Sequence, residues 1–380
     1  MSDHFFKSVK IENFRGIKSL EISDLARVNL FVGKNGCGKT SVLESVFLLI
    51  GISNPNLIVD RQNARGIGLL ESSDIRDFFY NRHHEKGLVL SCVQARGGRN
   101  LEILPLYGNL KMRQAGVILP GGVQAGANPA MLPGNGDLEN LSFGTGAAAT
   151  GQTLVGLGYQ FLPFVDGGAG QDKPYEAGVY LTKIGNPETT SFSESAYKES
   201  LKGVYLGKTG YNSEFVDQML NEKKKDLLLP SIQSLDDKIT DIRTGARGLV
   251  SVDTGLDSFI PIGLLGDGVV RVLNIASGIS AVPNGALMID EIENGLHVTA
   301  LEQVWEVVLD WSGKYNAQIF ITTHSGDVIN SLRRVLDENM FPDSVACYRL
   351  VKSAEDETRA YRYSSEQLEQ ALDVDTDIRL

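Results

Sequence analysis

Fourteen residues constrain this chain more than any others: Val28-Asn29-Leu30-Phe31-Val32-Gly33-Lys34-Asn35-Gly36-Cys37-Gly38-Lys39-Thr40-Ser41. An apolar run rich in β-formers ends in three closely spaced glycines, and Lys39-Thr40-Ser41 then opens a segment to Ile50 that reads as a helix. The pattern is G-x-x-x-x-G-K-S/T in the strand–turn–helix setting that gives it meaning. Glycine permits the backbone curl that turns the N–H groups of Asn35, Gly36, Cys37 and Gly38 inward, toward phosphate oxygens. The positive end of the following helix adds to the field. Lys39 is placed to reach the β- and γ-phosphates, and Thr40, followed by Ser41, to offer its hydroxyl to Mg²⁺. The stretch predicts a nucleoside-triphosphate site that also holds Mg²⁺.

Hydrolysis there needs acids on a neighbouring strand, and the chain supplies them late. Ala286-Leu287-Met288-Ile289-Asp290-Glu291 is an apolar strand ending in two carboxylates. Asp290 is read as the Mg²⁺ holder and Glu291 as the base that polarises the attacking water. The next apolar strand, Gln318 to Thr322, runs into Thr323-His324-Ser325. A helix from about Val298 to Trp311 separates the two strands. The unit is therefore a βαβ crossover that brings Asp290, Glu291 and His324 to one edge of a parallel sheet. His324 can then meet the γ-phosphate or the water. Leu264 to Arg271 places a Gly-Asp-Gly turn ahead of an apolar helix, a second anion-binding geometry. The phosphate loop already grips its own nucleotide, so Leu265, Gly266, Asp267 and Gly268 are most useful to a nucleotide held by another copy.

This order of elements resembles the ABC-type ATPase heads of the RecF and SMC group. Within that group, three stretches are similar to the OLD-type AAA-family ATPases of phage-defence systems, including the ATPase of PARIS-type pairs. They are Ile11-Glu12-Asn13-Phe14-Arg15-Gly16, the Leu264–Arg271 turn, and Asp290-Glu291-Ile292-Glu293-Asn294-Gly295-Leu296-His297. The resemblance covers residues 3–100 and 225–375. It implies an α/β head, a mixed sheet with flanking helices, that forms a homo-oligomer, a dimer or higher, around two nucleotides. The turn from Leu265 to Val269 of one copy closes on the γ-phosphate of the other, and Arg15 joins the nucleotide-binding residues. The group also implies a glutamine that senses Mg²⁺. Gln62 is the nearest, but its surroundings do not match and it stays unassigned. Gly266 stands where a serine is usual, which leaves the γ-phosphate contact to backbone N–H groups. Some OLD-type proteins carry a TOPRIM nuclease, for which 380 residues leave no room. A nuclease or toxin is therefore expected to be a separate effector protein.

These motifs divide the chain into three segments. Residues 1–100 carry the phosphate-loop half of the head, 101–225 an insertion, and 226–380 the second half. Within the insertion, Gln114 to Asp172 holds fourteen glycines and neither Lys nor Arg. It lacks helical periodicity, and strands such as Gly158 to Val165 are expected to be short. It reads either as a β-layer with long loops or as a docking surface. Glu194 to Leu229 returns to helical patterning and reads as a helical arm. Phe5–Ile11 with Leu20–Ile22 forms an opening hairpin, and Gly248–Pro261 a second one turning at Asp253-Thr254-Gly255. Strands at Ser344–Val351 and Thr358–Tyr363 precede a short helix capped by Ser364 or Ser365.

A net charge of −11 argues against a surface wrapped in nucleic acid. Nine Lys/Arg against five Asp/Glu from Arg61 to Arg113 still leave a local basic face open. Cys37, Cys92 and Cys347 have neither disulfide nor metal spacing, which fits a reducing cytoplasm. The N-terminus does not read as a signal peptide, and no apolar run approaches membrane-spanning length. The reading is a cytoplasmic regulatory ATPase that holds or releases an effector in phage defence. The alternative is a RecF-like repair or DNA-end ATPase. A transporter head fits poorly, for want of a coupling segment.

Overall fold

The chain opens with the antiparallel hairpin β1 (Phe6–Phe14) and β2 (Ile17–Ile22), then enters β3 (Val28–Val32). Helices α1 (Lys39–Ile50), α2 (Asn56–Ala64) and α3 (Ser72–Ile75) lead to β4 (Leu88–Gln94) and β5 (Gly98–Gly108). Next come β6 (Ser142–Phe143), β7 (Thr153–Phe164), β8 (Tyr175–Thr182), β9 (Thr189–Ser193) and β10 (Gly203–Leu206). Helices α4 (Ser213–Asn221) and α5 (Lys225–Gln233) precede β11 (Asp241–Thr244), β12 (Val250–Asp253) and β13 (Ile260–Pro261). The rest alternates: α6 (Asp267–Ala281), β14 (Ala286–Ile289), α7 (Leu301–Lys314), β15 (Gln318–Thr322), α8 (Gly326–Asn339), then the hairpin β16 (Val345–Lys352) and β17 (Thr358–Tyr363). This computed structural model describes residues 5–67, 72–95, 97–108, 142–143, 153–164, 174–182, 189–193, 195–207, 212–245, 249–339, 344–363 and 367–368.

The central sheet has six strands in the order β10-β14-β15-β3-β16-β17, parallel throughout except for the last pair. A parallel sheet covered on both faces needs strands that are apolar at every position. That is why Leu30–Val32, Ala286–Ile289 and Ile319–Ile321 are continuous rather than alternating runs; the buried Asn29 of β3 is satisfied by Ala26 and by Ile319 O. Their side chains still divide by face. Phe31, Met288 and Phe320 pack with α1 and the residues of a large antiparallel sheet. Leu30, Val32, Leu287, Ile289, Ile319 and Ile321 pack with helices α4 to α8. The antiparallel sheet runs β2-β1-β4-β5-β7-β8-β9, with β6 on β5, and β11-β12-β13 make a third, small sheet. The expected α/β architecture, a mixed sheet with flanking helices, is what the chain forms.

Two expectations change. The strand expected at Gly158 to Val165 is the second half of a twelve-residue strand, β7, paired along its length with β5 and on its other side with β8. Leu157, Tyr159 and Phe161 are buried from it. Gly156 and Gly158 mask this in the sequence, because they lower strand propensity while leaving the alternate apolar positions intact. Apart from β6 and β7, the Gly-rich stretch lies outside the described residues. The second change concerns Glu194 to Leu229. It first forms β10, which pairs in parallel with β14 in the central sheet. Then Val216, Met219, Leu228 and Ile232 of α4 and α5 enter the core that holds α6. These helices pack on α6 rather than forming an arm, because each presents a buried apolar face to it. Beyond Gln367-Leu368, the expected C-terminal helix lies outside the described residues. Among the described residues, no helix is long and apolar enough to cross a membrane.

Candidate nucleotide site

Strands β3, β14 and β15 are parallel neighbours, so the segments leaving them emerge on one side of the sheet, where α/β proteins bind ligands. The segment after β3 is the phosphate loop. Gly33, Gly36 and Gly38 have φ of +143°, +79° and +100°, backbone that L-residues rarely adopt. At Gly33 a side chain is doubly excluded, since a Cβ would lie 2.5 Å from the Leu350 carbonyl oxygen on β16. Asn35 and Gly36 are exposed on the loop, and Ser41 is buried in the first turn of α1. Lys39 folds back and donates to the carbonyls of Gly33 at 2.7 Å and Lys34 at 3.0 Å. The Cys37 N–H closes a turn onto Lys34 O at 3.4 Å, and burial pushes its thiol up while Lys39 opposes.

Asp290 is buried at the end of β14 between two hydroxyls. Thr40 Oγ1 donates to its Oδ1 and Oδ2 at 3.2 and 3.3 Å, and Thr322 Oγ1, at the end of β15, to Oδ1 at 2.6 Å. Thr322 also accepts from the Glu291 N–H at 2.9 Å. A hydroxyl from the first turn of α1 and a carboxylate from the end of β14, two strands across the sheet from β3, form the all-oxygen donor set that Mg²⁺ accepts, with substrate oxygens and water completing it. The residues present fit that ion.

Glu291 has φ of +48°, which turns the chain off the strand direction. Its Oε1 lies 3.9 Å from His324 Nδ1, whereas Glu293 Oε1 is 3.0 Å from the same nitrogen. The strand order thus brings Asp290, Glu291 and His324 together as the crossover predicts. Arg271, buried on α6, ties this acidic turn to the helix behind the Gly-Asp-Gly turn. It donates to Gly207 O at 2.8 Å, Asp290 O at 3.0 Å and Glu291 O at 3.1 Å. Burial draws its guanidinium below the usual arginine range, and Glu293, Asp290 and Glu291 oppose that shift.

The Gly266-Asp267 turn is exposed at the N-terminus of the fifteen-residue α6, and Leu265 packs on the core beneath it. Its neighbours are in the acidic loop: a Cβ at Gly295 would lie 3.2 Å from Asp267 Cβ, and one at Gly268 3.8 Å from Leu296.

Arg15, expected among the nucleotide-binding residues, is held by α1 and α2. Its Nε pairs with Glu44 at 2.6 Å, and its other nitrogens donate to Gln62 Oε1 at 3.3 and 3.4 Å. The guanidinium also stacks over Phe78, 5.2 Å from the ring centre. The cause is local: φ of +50° in the β1–β2 turn points the side chain back at α1. Burial lowers its pKa, and Glu44 opposes. Gln62, unassigned from sequence, is the acceptor for this arginine.

The sequence reading missed Thr322, Glu293 and Arg271. Arg271 carried a signal as a lone cation within Val269-Val270-Arg271-Val272-Leu273, and Glu293 lay within the Asp290–His297 stretch without a role assigned to it.

The chain is an ATPase, and two stretches of it match AAA-type families. An AAA ATPase domain matches residues 5–89, and a family described as AAA domain, putative AbiEii toxin, Type IV TA system matches residues 188–330. An ATP/GTP phosphatase of Helicobacter pylori is 22% identical over 349 residues, covering 88% of this chain and 89% of that protein. A DNA replication and repair protein RecF of Clostridioides difficile is 49% identical over 43 residues, 11% of this chain and 12% of that one. Among solved structures, an SMC head bound to the C-winged helix domain of ScpA aligns with 96% of this chain and 99% of its own, at a TM-score of 0.47 and 10% identity.

Proposed function

We propose that the chain is a regulatory ATPase whose nucleotide site is completed by a second copy, and that ATP turnover controls a separate effector protein, such as a TOPRIM nuclease, in phage defence. Asn35 to Ser41 hold the phosphates, Thr40 and Asp290 hold Mg²⁺, Glu291 activates water, and His324 faces the γ-phosphate. Mg²⁺ when bound draws charge from the transferring phosphoryl group. The residues of the chain orient the ATP and take the proton at Glu291.

One observation carries the two-copy reading. The Gly266-Asp267-Gly268 turn, exposed at its first two residues, heads a helix whose Arg271 is bonded to the carbonyls of both acids. An anion engaged at that turn would be felt at the acids of the same chain, so nucleotide bound by one copy can report to the other. Sedimentation of Glu291→Gln protein with and without ATP tests it: ATP-dependent dimers or larger species are expected, and a monomer at saturating ATP overturns it. The match to an AAA family named for an AbiEii toxin supports the effector reading. Copurification with the product of the adjacent gene tests that part.

The short RecF match favours a second reading, a DNA-repair or DNA-end ATPase. Turnover stimulated by duplex ends, with no effector captured, selects it.

A further inference from the structure

Glu293 is the third acid of Asp290-Glu291-Ile292-Glu293, and it is built into the site rather than displayed on it. Its side chain is 14% exposed. Oε1 accepts from the Thr323 hydroxyl at 2.8 Å and from the His324 backbone N–H at 3.0 Å, and it lies 3.0 Å from His324 Nδ1. Oε2 is buried without a hydrogen-bond partner. A desolvated carboxylate oxygen with no donor costs stability. Folding alone does not account for an acid here.

We propose that Glu293 is the positioning residue of His324, fixing its imidazole as the Nδ1–H tautomer and leaving Nε2 for the γ-phosphate or the attacking water. An ionised carboxylate only accepts, so the ring nitrogen facing it carries a proton. The other nitrogen then projects from the far side of the ring, and its direction is set by the bond the first one makes. The same carboxylate oxygen also holds the His324 backbone and the preceding Thr323, so ring, main chain and neighbour are pinned at one point. Glu291, 3.9 Å from Nδ1, is left to act as the base. Two nearby carboxylates thus take different tasks through their surroundings. Arg271, beside Glu293, Glu291 and Asp290, offsets part of their accumulated negative charge.

The inference rests on His324 serving the γ-phosphate, and the experiment separates the two. In full-length protein labelled with ¹⁵N-histidine, with the His324 signals assigned by difference from His324→Asn, the ring nitrogens report the tautomer directly. Wild type is expected to carry the proton on Nδ1. Glu293→Ala is expected to release that tautomer and lower kcat about 10- to 100-fold, the usual cost of losing the carboxylate behind a functional histidine. KM for ATP is expected to stay within about twofold, since the contact serves the reacting end. Glu293→Gln, whose amide oxygen can accept from the same donors, restores the Nδ1–H tautomer and most of the rate; a Gln variant as slow as Ala overturns the positioning role. The wild-type tautomer needs no variant at Glu293 to be read, so a misfolded Ala protein does not shelter the idea. Nε2–H in wild type, or wild-type kcat in Glu293→Ala while His324→Ala loses activity, overturns this inference and leaves the site intact. Wild-type turnover in His324→Ala overturns the assignment of His324 and this inference with it.

Discussion

Thr322 donates its hydroxyl to Asp290 Oδ1 at 2.6 Å while accepting from the N–H of the next residue, Glu291, at 2.9 Å. One buried side chain on β15 therefore sets both acids at the end of β14. Thr322→Val keeps the shape and removes both bonds. Leaving a buried N–H without its acceptor is expected to cost about 1–3 kcal/mol in urea unfolding. Asp290 loses its orienting donor, so half-saturation by Mg²⁺ in the ATPase assay is expected to rise about tenfold. Unchanged stability and unchanged Mg²⁺ dependence would count against Thr322 as the residue that sets the acids.

Lys39 rests on the Gly33 and Lys34 carbonyls, contacts that an arriving triphosphate replaces. Lys39→Ala is expected to abolish binding of a fluorescent ATP analogue with little loss of thermal stability, because the lysine supports the phosphates rather than the core. Retained affinity would move the phosphate grip elsewhere.

Glu291→Gln separates binding from chemistry. The amide keeps the volume but cannot take a proton, so ATP should bind as in wild type while hydrolysis falls by about 10²- to 10⁴-fold, the usual weight of a general base. Single-turnover rates at saturating ATP are the measurement, and a wild-type rate would transfer the base to another group.

Gly268 gives a clean way to test for a composite site. A Cβ there meets nothing closer than Leu296 at 3.8 Å, so Gly268→Asp adds a charge to the anion-binding turn without forcing a clash. Mixed with Lys39→Ala protein, it should restore one intact site per mixed dimer, pairing the sound phosphate loop of one mutant with the sound turn of the other. Activity no higher than either parent, with mixed dimers verified by mass, would place each site within one chain.

β7, within the Gly-rich stretch, is part of the core. Leu157 is fully buried from it, and Leu157→Ala is expected to destabilise the protein by about 2–5 kcal/mol in chemical denaturation. A loss under about 0.5 kcal/mol, the size of an ordinary surface substitution, would mean that β7 is not a structural strand. Excising 114–172 removes this strand as well as the stretch around it, so a soluble ATP-binding product is not expected from that deletion.

The features that the sequence determined by itself are contiguous. The phosphate loop, from Gly33 to Thr40, is legible because each requirement falls on consecutive residues: backbone curl, ammonium, hydroxyl. The acids at Asp290 and Glu291 and the histidine at His324 are legible because unbroken apolar runs mark strands covered on both faces, and the residues leaving such a strand stand at its edge. β7 was only half legible, since Gly156 and Gly158 removed one face of its pattern. The partners of these groups lie elsewhere in the chain and were decided by tertiary structure alone. Thr322 is thirty-two residues from Asp290, and His324 thirty-one from Glu293. The link between them is the register of two parallel strands, Met288 beside Phe320 and Ile289 beside Ile321. That pairing puts the end of β15 against the acids, and a slip of one residue would turn each side chain to the opposite face. Arg15 shows the same dependence: its pairing with the buried Glu44 on α1, from the left-handed turn of β1–β2, is set by tertiary structure.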